Sequence, residues 1–216
     1  MMTDLEFCHA VRNRLSLLPD DRLGDECTDC GKNMSPLHPH ICKKLRKLVT
    51  GARHDMVTGC VLKRAREAGM TASNEPYLGP GPNPLRADGA LFGLLTFLYF
   101  DTSVINPSTT TSIEKFKSHT KGLLAAAGRE AVKLKKYKNH LPAGASFVPF
   151  VLESFGSLGT GAFKVIQSIV AEFGERYGDN LKSEFRKFCF DSVSIALQKG
   201  TSRMFSLFSH SNLCRV

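Results

Sequence analysis

The amino-acid sequence predicts a mixed α/β domain preceded by a small module rich in cysteine and histidine, and three observations support this prediction. Hydrophobic residues make up 42% of the 216 residues, which is typical of a globular chain. Segments with helical periodicity alternate with strand-like segments after residue 54. Between Cys27 and Cys42 the chain has neither periodicity and is rich in Cys, His, Gly and Pro. The length suffices for a small module plus one core domain.

Apolar periodicity gives the element order helix, Cys/His-rich module, helix, three strands, helix, strand and two helices. Helical spacing predicts helices at 1–18, 54–68, 112–137, 163–177 and 181–198. Strand-forming residues predict one short strand within 70–77, two strands within 90–105 and a fourth at 145–152. Pro149 places the fourth strand at a sheet edge or at a bulge, because proline cannot donate to a sheet ladder. This alternation favours a mixed sheet flanked by helices.

The apolar faces of the helices predict which side chains are buried. The face of the first helix comprises Phe7, Ala10, Val11, Leu15 and Leu18, and that of the last comprises Phe185, Phe188, Ser192 and Ile195. The helix at 112–137 could break at Gly122 or Gly128. The predicted organisation is an N-terminal helix and module at 1–50, a core domain at 51–200 and a tail at 201–216.

The net charge indicates which partners the chain favours. Lys and Arg number 29 and Asp and Glu number 20, a formal charge of +9. The excess favours acidic partners, nucleic acid first and a membrane surface second, although a solvated basic surface explains it equally well. The basic residues that could follow a phosphate backbone near the module are Lys43, Lys44, Arg46, Lys47, Arg53, Lys63, Arg64 and Arg66.

Two further features of the sequence bear on its location. No apolar run is long enough to span a bilayer, and the first residues lack the apolar stretch of a secretory signal. Seven cysteines, an odd number, argue against a complete disulfide framework. We therefore expect a reducing compartment, the nucleus or the cytoplasm, and no membrane partner. Nothing in the sequence points to a small-molecule substrate or to an oligomeric state.

The spacing of cysteines and histidines predicts a metal site. Two thiolates separated by two residues can bind one ion, and a histidine and a third cysteine can complete a tetrahedral shell. With Cys27, Cys30, His38 and Cys42 the spacing is C-x2-C-x7-H-x3-C, and His40 is the alternative to His38. Four protein ligands leave no position for water, so the site would be a structural zinc site. The alternative is a loop of unliganded cysteines.

Two carboxylates near predicted strands form a candidate catalytic site. Asp88 precedes the first long strand and Asp101 lies thirteen residues later, so a hairpin could bring them together. Converging carboxylates can hold Mg²⁺ for phosphodiester hydrolysis, and Glu75 could add a third oxygen. Lys133 and Tyr137 lie on one face of a predicted helix, where the lysine could stabilise developing charge. Each of these residues could equally be an ordinary turn, cap, surface or packing residue.

These features in this order resemble the C-terminal region of non-LTR retrotransposon polyproteins. That region has a Cys-Cys-His-Cys knuckle, an Arg-His-Asp helix start and a restriction-like endonuclease of the PD-(D/E)XK class. The matching segments are CTDCGKNMSPLHPHIC, Arg53-His54-Asp55, Glu75-Pro76, Arg86-Ala87-Asp88, Phe100–Val104 with Asn106-Pro107, Lys133–Tyr137 and residues 147–156. Ala87 stands where the family has proline, and Ser103 stands where many such nucleases have lysine. The reverse-transcriptase Tyr-x-Asp-Asp turn does not occur in this sequence.

The resemblance implies a zinc knuckle followed by a restriction-endonuclease-like core. Asp88 and Asp101 would hold magnesium, Lys133 would lie near the scissile phosphate, and the knuckle would assist contact with DNA or RNA. The sequence thus leaves three hypotheses open. The chain is a metal-dependent DNA endonuclease, a nucleic-acid-binding remnant without catalysis, or an unrelated structural or adaptor protein stabilised by zinc.

Overall fold

The computed structural model of the protein describes residues 1–42, 46–79 and 84–213, with the backbone alone described at 46–50. Seven helices are found in these residues: α1 Asp4–Arg14, α2 His38–Ile41, α3 Arg46–Glu67, α4 Thr110–Phe116, α5 Leu124–Tyr137, α6 Thr160–Tyr177 and α7 Lys182–Leu213. One turn of 3₁₀ helix, Asp179–Leu181, precedes α7. The strands of the described part are β1 Thr71–Asn74, β2 Tyr77–Leu78, β3 Leu85–Arg86, β4 Gly89–Phe92, β5 Phe97–Ile105 and β6 Ser146–Glu153. The predicted mixed α/β class is therefore confirmed.

The main sheet has four strands in the order β1-β4-β5-β6. β4 and β5 form an antiparallel hairpin, β1 pairs antiparallel with β4, and β6 pairs parallel with β5. Pro149 lies on β6, so the prediction that it marks an edge strand is confirmed. The short strands β2 and β3 form a separate antiparallel pair. A mixed sheet of this kind requires a helical crossover between β5 and β6, which α4 and α5 supply.

Hydrophobic packing covers both faces of the sheet. On one face α3 and α6 pack on the side chains of alternate strand residues such as Leu98, Phe100 and Phe150, and α7 packs on α3 and α6. On the other face Tyr137 of α5 packs with Tyr99 and Phe147, and the rings of Tyr137 and Phe147 stack at 4.2 Å. Side chains alternate along a strand, so Asp101 lies on the α5 face, like Tyr99, while its neighbours Phe100 and Thr102 point to the opposite face.

The crossover is divided into two helices. The sequence predicted one helix at 112–137 with a possible break at Gly122 or Gly128, and the break lies between Phe116 and Leu124, which includes Gly122. Gly128 instead lies inside α5, where an added Cβ would come within 2.1 Å of the Phe116 ring. Gly128 therefore allows α4 to fold back onto α5.

The buried faces of the first and last helices differ from the prediction. In α1 the buried residues are His9, Ala10 and Asn13, whereas Phe7 is 63% exposed. In α7 the predicted face at Phe188 is 49% exposed, although the Arg64 guanidinium lies 4.2 Å above this ring. Ala10 and Phe185 are buried as predicted, but most of the other predicted positions are not. Periodicity identifies apolar positions but not the polar side chains that tertiary contacts bury.

The last helix is also longer than predicted. The sequence predicted an end at Gln198 and a tail from 201 to 216, but α7 continues to Leu213. Its second half buries Met204, Phe205 and Phe208, which form a second core with Leu23 and the cysteines Cys27 and Cys42. The Cys/His-rich module is thus packed against the end of α7. No helix in the described ranges is long and apolar enough to cross a membrane.

Candidate functional site

The hairpin of β4 and β5 brings Asp88 and Asp101 together. The register of the hairpin ends with Gly89 opposite Phe100, so Asp88 immediately precedes this pair and Asp101 immediately follows it. The Asp88 amide donates to the Phe100 carbonyl at 3.0 Å, which holds the Asp88 backbone against β5. A Cβ at Gly89 would come within 2.4 Å of the Phe100 ring, so glycine allows this close approach. The two carboxyl groups lie within hydrogen-bonding reach of each other.

Asp88 is held by donors from two elements. Its Oδ2 atom accepts from the Thr102 backbone amide at 2.6 Å and lies 2.7 Å from Nε2 of His54, which comes from α3. The other nitrogen of His54, Nδ1, lies 3.0 Å from Oδ1 of Asp55. Asp88 is thus fixed between the hairpin and α3.

Asp101 is held by two residues of α5. Lys133 Nζ donates to Oδ1 of Asp101, and the Tyr137 hydroxyl donates to Oδ2. The same hydroxyl lies 2.9 Å from the Arg86 carbonyl oxygen. Lys133 and Tyr137 are one helical turn apart and lie on one face of α5, as the sequence predicted. Their side chains converge on the Asp101 carboxylate.

The charges of the site are mutually dependent. The hydrogen bond with Asp88 raises the pKa of His54 to about 9, although burial acts in the opposite direction. The His54 imidazole is therefore protonated at neutral pH. Burial alone would raise the pKa of Asp88, but the hydrogen bond and charge of His54 outweigh it, and the Asp88 pKa is lowered. Burial and the adjacent carboxylates raise the pKa of Tyr137, so its hydroxyl keeps the proton. The site therefore has two carboxylates neutralised by neighbouring cations.

These residues line a cleft of about 390 Å³ between α3 and α5. Among the described residues that line it, the acidic ones are Asp88 and Asp101, and the basic ones are Arg53, His54, Arg86, Arg129, Lys133 and Lys136. Ser103 contributes a hydroxyl that accepts from Nε of Arg129 at 3.4 Å. A pair of carboxylates in a wall of cations can receive a phosphate ester with a divalent metal.

The structure does not bring the side chain of Glu75 to this cleft. The Glu75 amide donates to the Asp88 carbonyl at 3.0 Å, which places the two backbones side by side. The residue has a φ of +50°, and its carboxylate forms an ion pair with Arg86 instead. The sequence-based suggestion of a third oxygen ligand from Glu75 is therefore not reflected in the geometry.

The predicted basic residues fall into several environments. Lys43 and Lys44 lie outside the described residues, and only the backbone is described at Arg46 and Lys47. Lys63 and Arg66 are exposed on α3, and Arg66 donates to the Ala72 carbonyl at 2.9 Å. The prediction that Arg64 follows a phosphate backbone is wrong. Its side chain is only 6% exposed, lines no part of the cleft and forms an ion pair with Glu67 at 2.8 Å. Arg53 is also buried, but it lines the cleft.

The Cys/His-rich module forms the second candidate site. One ligand atom from each of Cys27, Cys30, His38 and Cys42 lies within 4.8 Å of all the others, so the cluster could bind a metal such as zinc. The Sγ atoms of Cys27 and Cys42 are 4.0 Å apart, and Cys30 Sγ lies 3.3 Å from His38 Nε2. Tetrahedral zinc with bonds of about 2.3 Å to sulfur would separate two sulfurs by about 3.8 Å, which fits. Within the described ranges no other group of three or more His, Cys, Asp or Glu residues gathers in this way.

The chain forms this cluster through a tight turn and a short helix. Gly31, at a φ of +65°, closes the turn, and its amide donates to the Cys27 carbonyl at 2.8 Å. His38 begins α2 and Cys42 follows its end, with the Cys42 amide donating to the His38 carbonyl at 2.9 Å. Burial raises the pKa of Cys27 to about 11, so this thiol requires a cation to ionise at neutral pH.

His40, the alternative ligand in the sequence, has another role. Its Nε2 atom lies 3.0 Å from Oδ1 of Asn13, and its Nδ1 atom accepts from Nη1 of Arg53 at 3.2 Å. Burial lowers the pKa of His40 to about 3, so it stays neutral. Asn13 in turn donates to the Ser154 carbonyl at 3.3 Å. His40 therefore connects the metal module to α1 and α3, and His38 is the histidine that lies within the cluster that could bind a metal.

Sequence reasoning missed two side chains that hold the site together, His54 and Arg129. In the sequence His54 was noted only as part of the Arg-His-Asp segment, and the resemblance of that segment to the retrotransposon family was the signal that could have identified it. Arg129 carried no signal, although it lies one helical turn before Lys133. Comparison of the sequence with models of protein families gave no match, and a search among curated proteins found no relative.

Proposed function

We propose that this chain is a nucleic-acid-binding protein that hydrolyses phosphodiester bonds of DNA with a divalent cation held by Asp88 and Asp101. The observation that carries the proposal is the convergence of these two carboxylates with Lys133 and Tyr137 in a cleft of otherwise basic residues. The resemblance to the nuclease region of non-LTR retrotransposon polyproteins supports the same activity and a restriction-like core. The zinc-binding module would then belong to a nucleic-acid-binding surface.

The donor set of the carboxylate pair fits Mg²⁺ or Mn²⁺. Both cations prefer oxygen ligands, and Mg²⁺ is usually held by one or two carboxylates while substrate phosphate and water fill the other positions. Asp88 and Asp101 lie within hydrogen-bonding reach, a separation that two negative charges tolerate only beside cations. When bound, the ion would polarise a phosphoryl oxygen and activate water.

The other residues of the site would orient and stabilise the reacting groups. The Tyr137 hydroxyl fixes the orientation of the Asp101 carboxylate, which is 4% exposed. Lys133, whose ammonium group pairs with Asp101, could move by a single rotamer change to a developing charge on phosphate. The basic wall of the cleft would attract the phosphate backbone and exclude neutral substrates.

The module would contribute structure and nucleic-acid contact. Four protein ligands at tetrahedral spacing are typical of a structural zinc site. The thiols must stay reduced to bind the ion, so we infer a nuclear or cytoplasmic location.

A plasmid assay tests the proposal. The purified chain is incubated with supercoiled plasmid and Mg²⁺ or Mn²⁺, beside the Asp88→Ala/Asp101→Ala double variant. Nicking by the native chain and not by the double variant is the expected result. The Asp191→Asn variant changes an exposed carboxylate of α7 and should nick like the native chain. Nicking that persists in the double variant would indicate a contaminating nuclease and contradict the assignment.

A second candidate function is nucleic-acid binding without catalysis. The observation that favours it is that both carboxylates are already in ion pairs, Asp88 with His54 and Asp101 with Lys133. These pairs would have to open before a cation could bind both residues. Salt-sensitive DNA binding without nicking in either metal would support this candidate. Absence of both activities, with zinc retained, would leave a structural or adaptor protein.

A further inference from the structure

Arg53 is a buried cation without an anionic partner among the residues that the structure describes. Its side chain is 4% exposed, and its Nη1 atom donates to the neutral His40 ring at 3.2 Å. Among the described residues no carboxylate pairs with Arg53, and its Nε atom has no hydrogen-bond partner. Burial lowers the pKa of Arg53 to about 10, so the guanidinium is still charged at neutral pH.

An unpaired buried charge is costly, and its position indicates what could compensate it. Taking an ion out of water without a counter-ion costs several kcal/mol. Arg53 lines the same cleft as the carboxylate pair, where an anionic ligand would supply the missing charge. The backbone around Arg53 is tightly fixed, because a Cβ on Gly200 of α7 would come within 2.6 Å of its Cα atom. The Arg53 backbone is therefore fixed, and its side chain lines the cleft from a defined position.

Arg129 provides a second cation to the same cleft from the opposite wall. Its Nε atom donates to Ser103 Oγ at 3.4 Å, and no ion pair is found for it in the described part of the chain. Ser103 is two residues from Asp101 along β5, which is a displacement of about 7 Å. By contrast, Lys133, His54 and Arg86 each pair with a carboxylate. Arg53 and Arg129 are thus cleft guanidinium groups whose charge no carboxylate of the described residues compensates.

We infer that Arg53 and Arg129 form an anion subsite that binds a backbone phosphate of nucleic acid next to the one that is cleaved. The inference rests on the proposed function and adds the residues that position the substrate. Arginine suits this task because its planar group bonds phosphate oxygens in two directions. Arg53 also couples the subsite to the metal module, since its partner His40 lies between the ligands His38 and Cys42.

The experiment measures binding and not cleavage. Fluorescence anisotropy of a labelled duplex oligonucleotide is recorded without added divalent cation, over a series of salt concentrations, for the native chain and the variants Arg129→Gln and Arg53→Met. Each lost phosphate contact should reduce the slope of log affinity against log salt by about 1 in magnitude. At 0.1 M salt this corresponds to an affinity that is roughly eightfold lower.

The Arg203→Gln variant is the matched control, because it removes an exposed arginine of α7 outside the cleft. It should keep the native slope. An unchanged slope in Arg129→Gln, or an equal change in Arg203→Gln, would overturn the inference. Because Arg129 is only half-buried, its variant keeps the test valid even if Arg53→Met does not fold.

Inorganic phosphate distinguishes the two sources of the anion. At equal ionic strength, phosphate should raise the Tm of the native chain relative to chloride, and the increase should be lost in Arg129→Gln. Stabilisation by phosphate together with an unchanged oligonucleotide slope would show a site for a free anion and overturn the assignment to nucleic acid. The result is independent of the plasmid assay, because a chain that does not nick can still show the slope change.

Discussion

Asp88 and Asp101 flank the last residue pair of the β4–β5 hairpin, Gly89 opposite Phe100, although they are thirteen positions apart in the chain. Lys133 and Tyr137 of α5 bind Asp101, and His54 of α3 and the Thr102 amide bind Asp88. The register of one hairpin therefore decides whether the candidate site exists. A slip of one residue would turn one carboxylate to the opposite face.

The carboxylate pair should bind Mn²⁺ directly. We expect the affinity for Mn²⁺, measured by calorimetry, to fall by more than about tenfold in Asp88→Asn and in Asp101→Asn, since a loss of about 1.4 kcal/mol corresponds to a factor of ten. The Asp191→Asn variant should bind like the native chain. Equal affinity in all four proteins would show that the ion binds elsewhere.

The hydroxyl of Tyr137 should stabilise the fold separately from its ring. Tyr137→Phe removes the hydrogen bond to the buried Asp101 carboxylate but keeps the stacking on Phe147, and we expect a loss of about 1–3 kcal/mol in the free energy of unfolding. Tyr137→Ala also leaves a cavity and should cost about 3–5 kcal/mol. Urea titration measures both values. A Phe variant as stable as the native chain would mean that the hydroxyl contributes nothing.

The close approach of α3 and α7 should depend on Gly200. An added methyl group there would collide with the Arg53 backbone at 2.6 Å, so Gly200→Ala should destabilise the protein by about 1–3 kcal/mol. Gly59 of α3 faces open space, and Gly59→Ala should stabilise it by about 0.5–1 kcal/mol through helix propensity. In thermal or urea unfolding the two variants should change the free energy of unfolding in opposite directions. Stabilisation by both variants would contradict the close packing at Gly200.

The metal module should contain one zinc ion and support the end of α7. Cys30→Ser removes one of four ligands, so zinc content measured by atomic emission should fall well below one ion per chain. Because Cys27 and Cys42 pack on Phe205 and Phe208, the loss should also expose the second half of α7 to hydrogen exchange. Cys8 is an exposed thiol outside the cluster, and Cys8→Ser should retain the zinc. Full zinc content in Cys30→Ser would exclude Cys30 as a ligand.

Acid should destabilise the protein through His9. This ring is 6% exposed and lies 2.9 Å from Ser202 Oγ, and burial lowers its pKa below the value of 6.5 that an unfolded histidine has. Below pH 6.5 the unfolded chain binds a proton that the folded ring does not, so stability decreases as the pH falls. Between pH 7.5 and 5.5 the native chain should lose more unfolding free energy than His9→Gln. The His119→Gln variant, at an exposed histidine, is the control, and a native loss no larger than that of His9→Gln would contradict the prediction.

The sequence by itself determined the features that depend on local spacing. Four ligands within 16 residues can reach one ion through a turn and a short helix, so the cluster of Cys27, Cys30, His38 and Cys42 was predictable. Lys133 and Tyr137 are i and i+4 on a helix, and their common face follows from helix geometry. The two strands within 90–105 and the edge position of Pro149 follow from strand periodicity and from the missing proline amide.

Only the tertiary structure decided what depends on contacts between distant elements. In the folded chain Glu75 forms an ion pair with Arg86, Arg64 is buried, and His54 of α3 contacts the Asp88 carboxylate. The tertiary structure also buried Arg53 against His40 and extended α7 to Leu213 as the support of the metal module. A periodic pattern states which residues can be buried, but burial and charge pairing are set by the element that packs against them. The partner residue belongs to another element, 11 positions away for Glu75 and Arg86 and 34 for His54 and Asp88, and periodic spacing does not identify it.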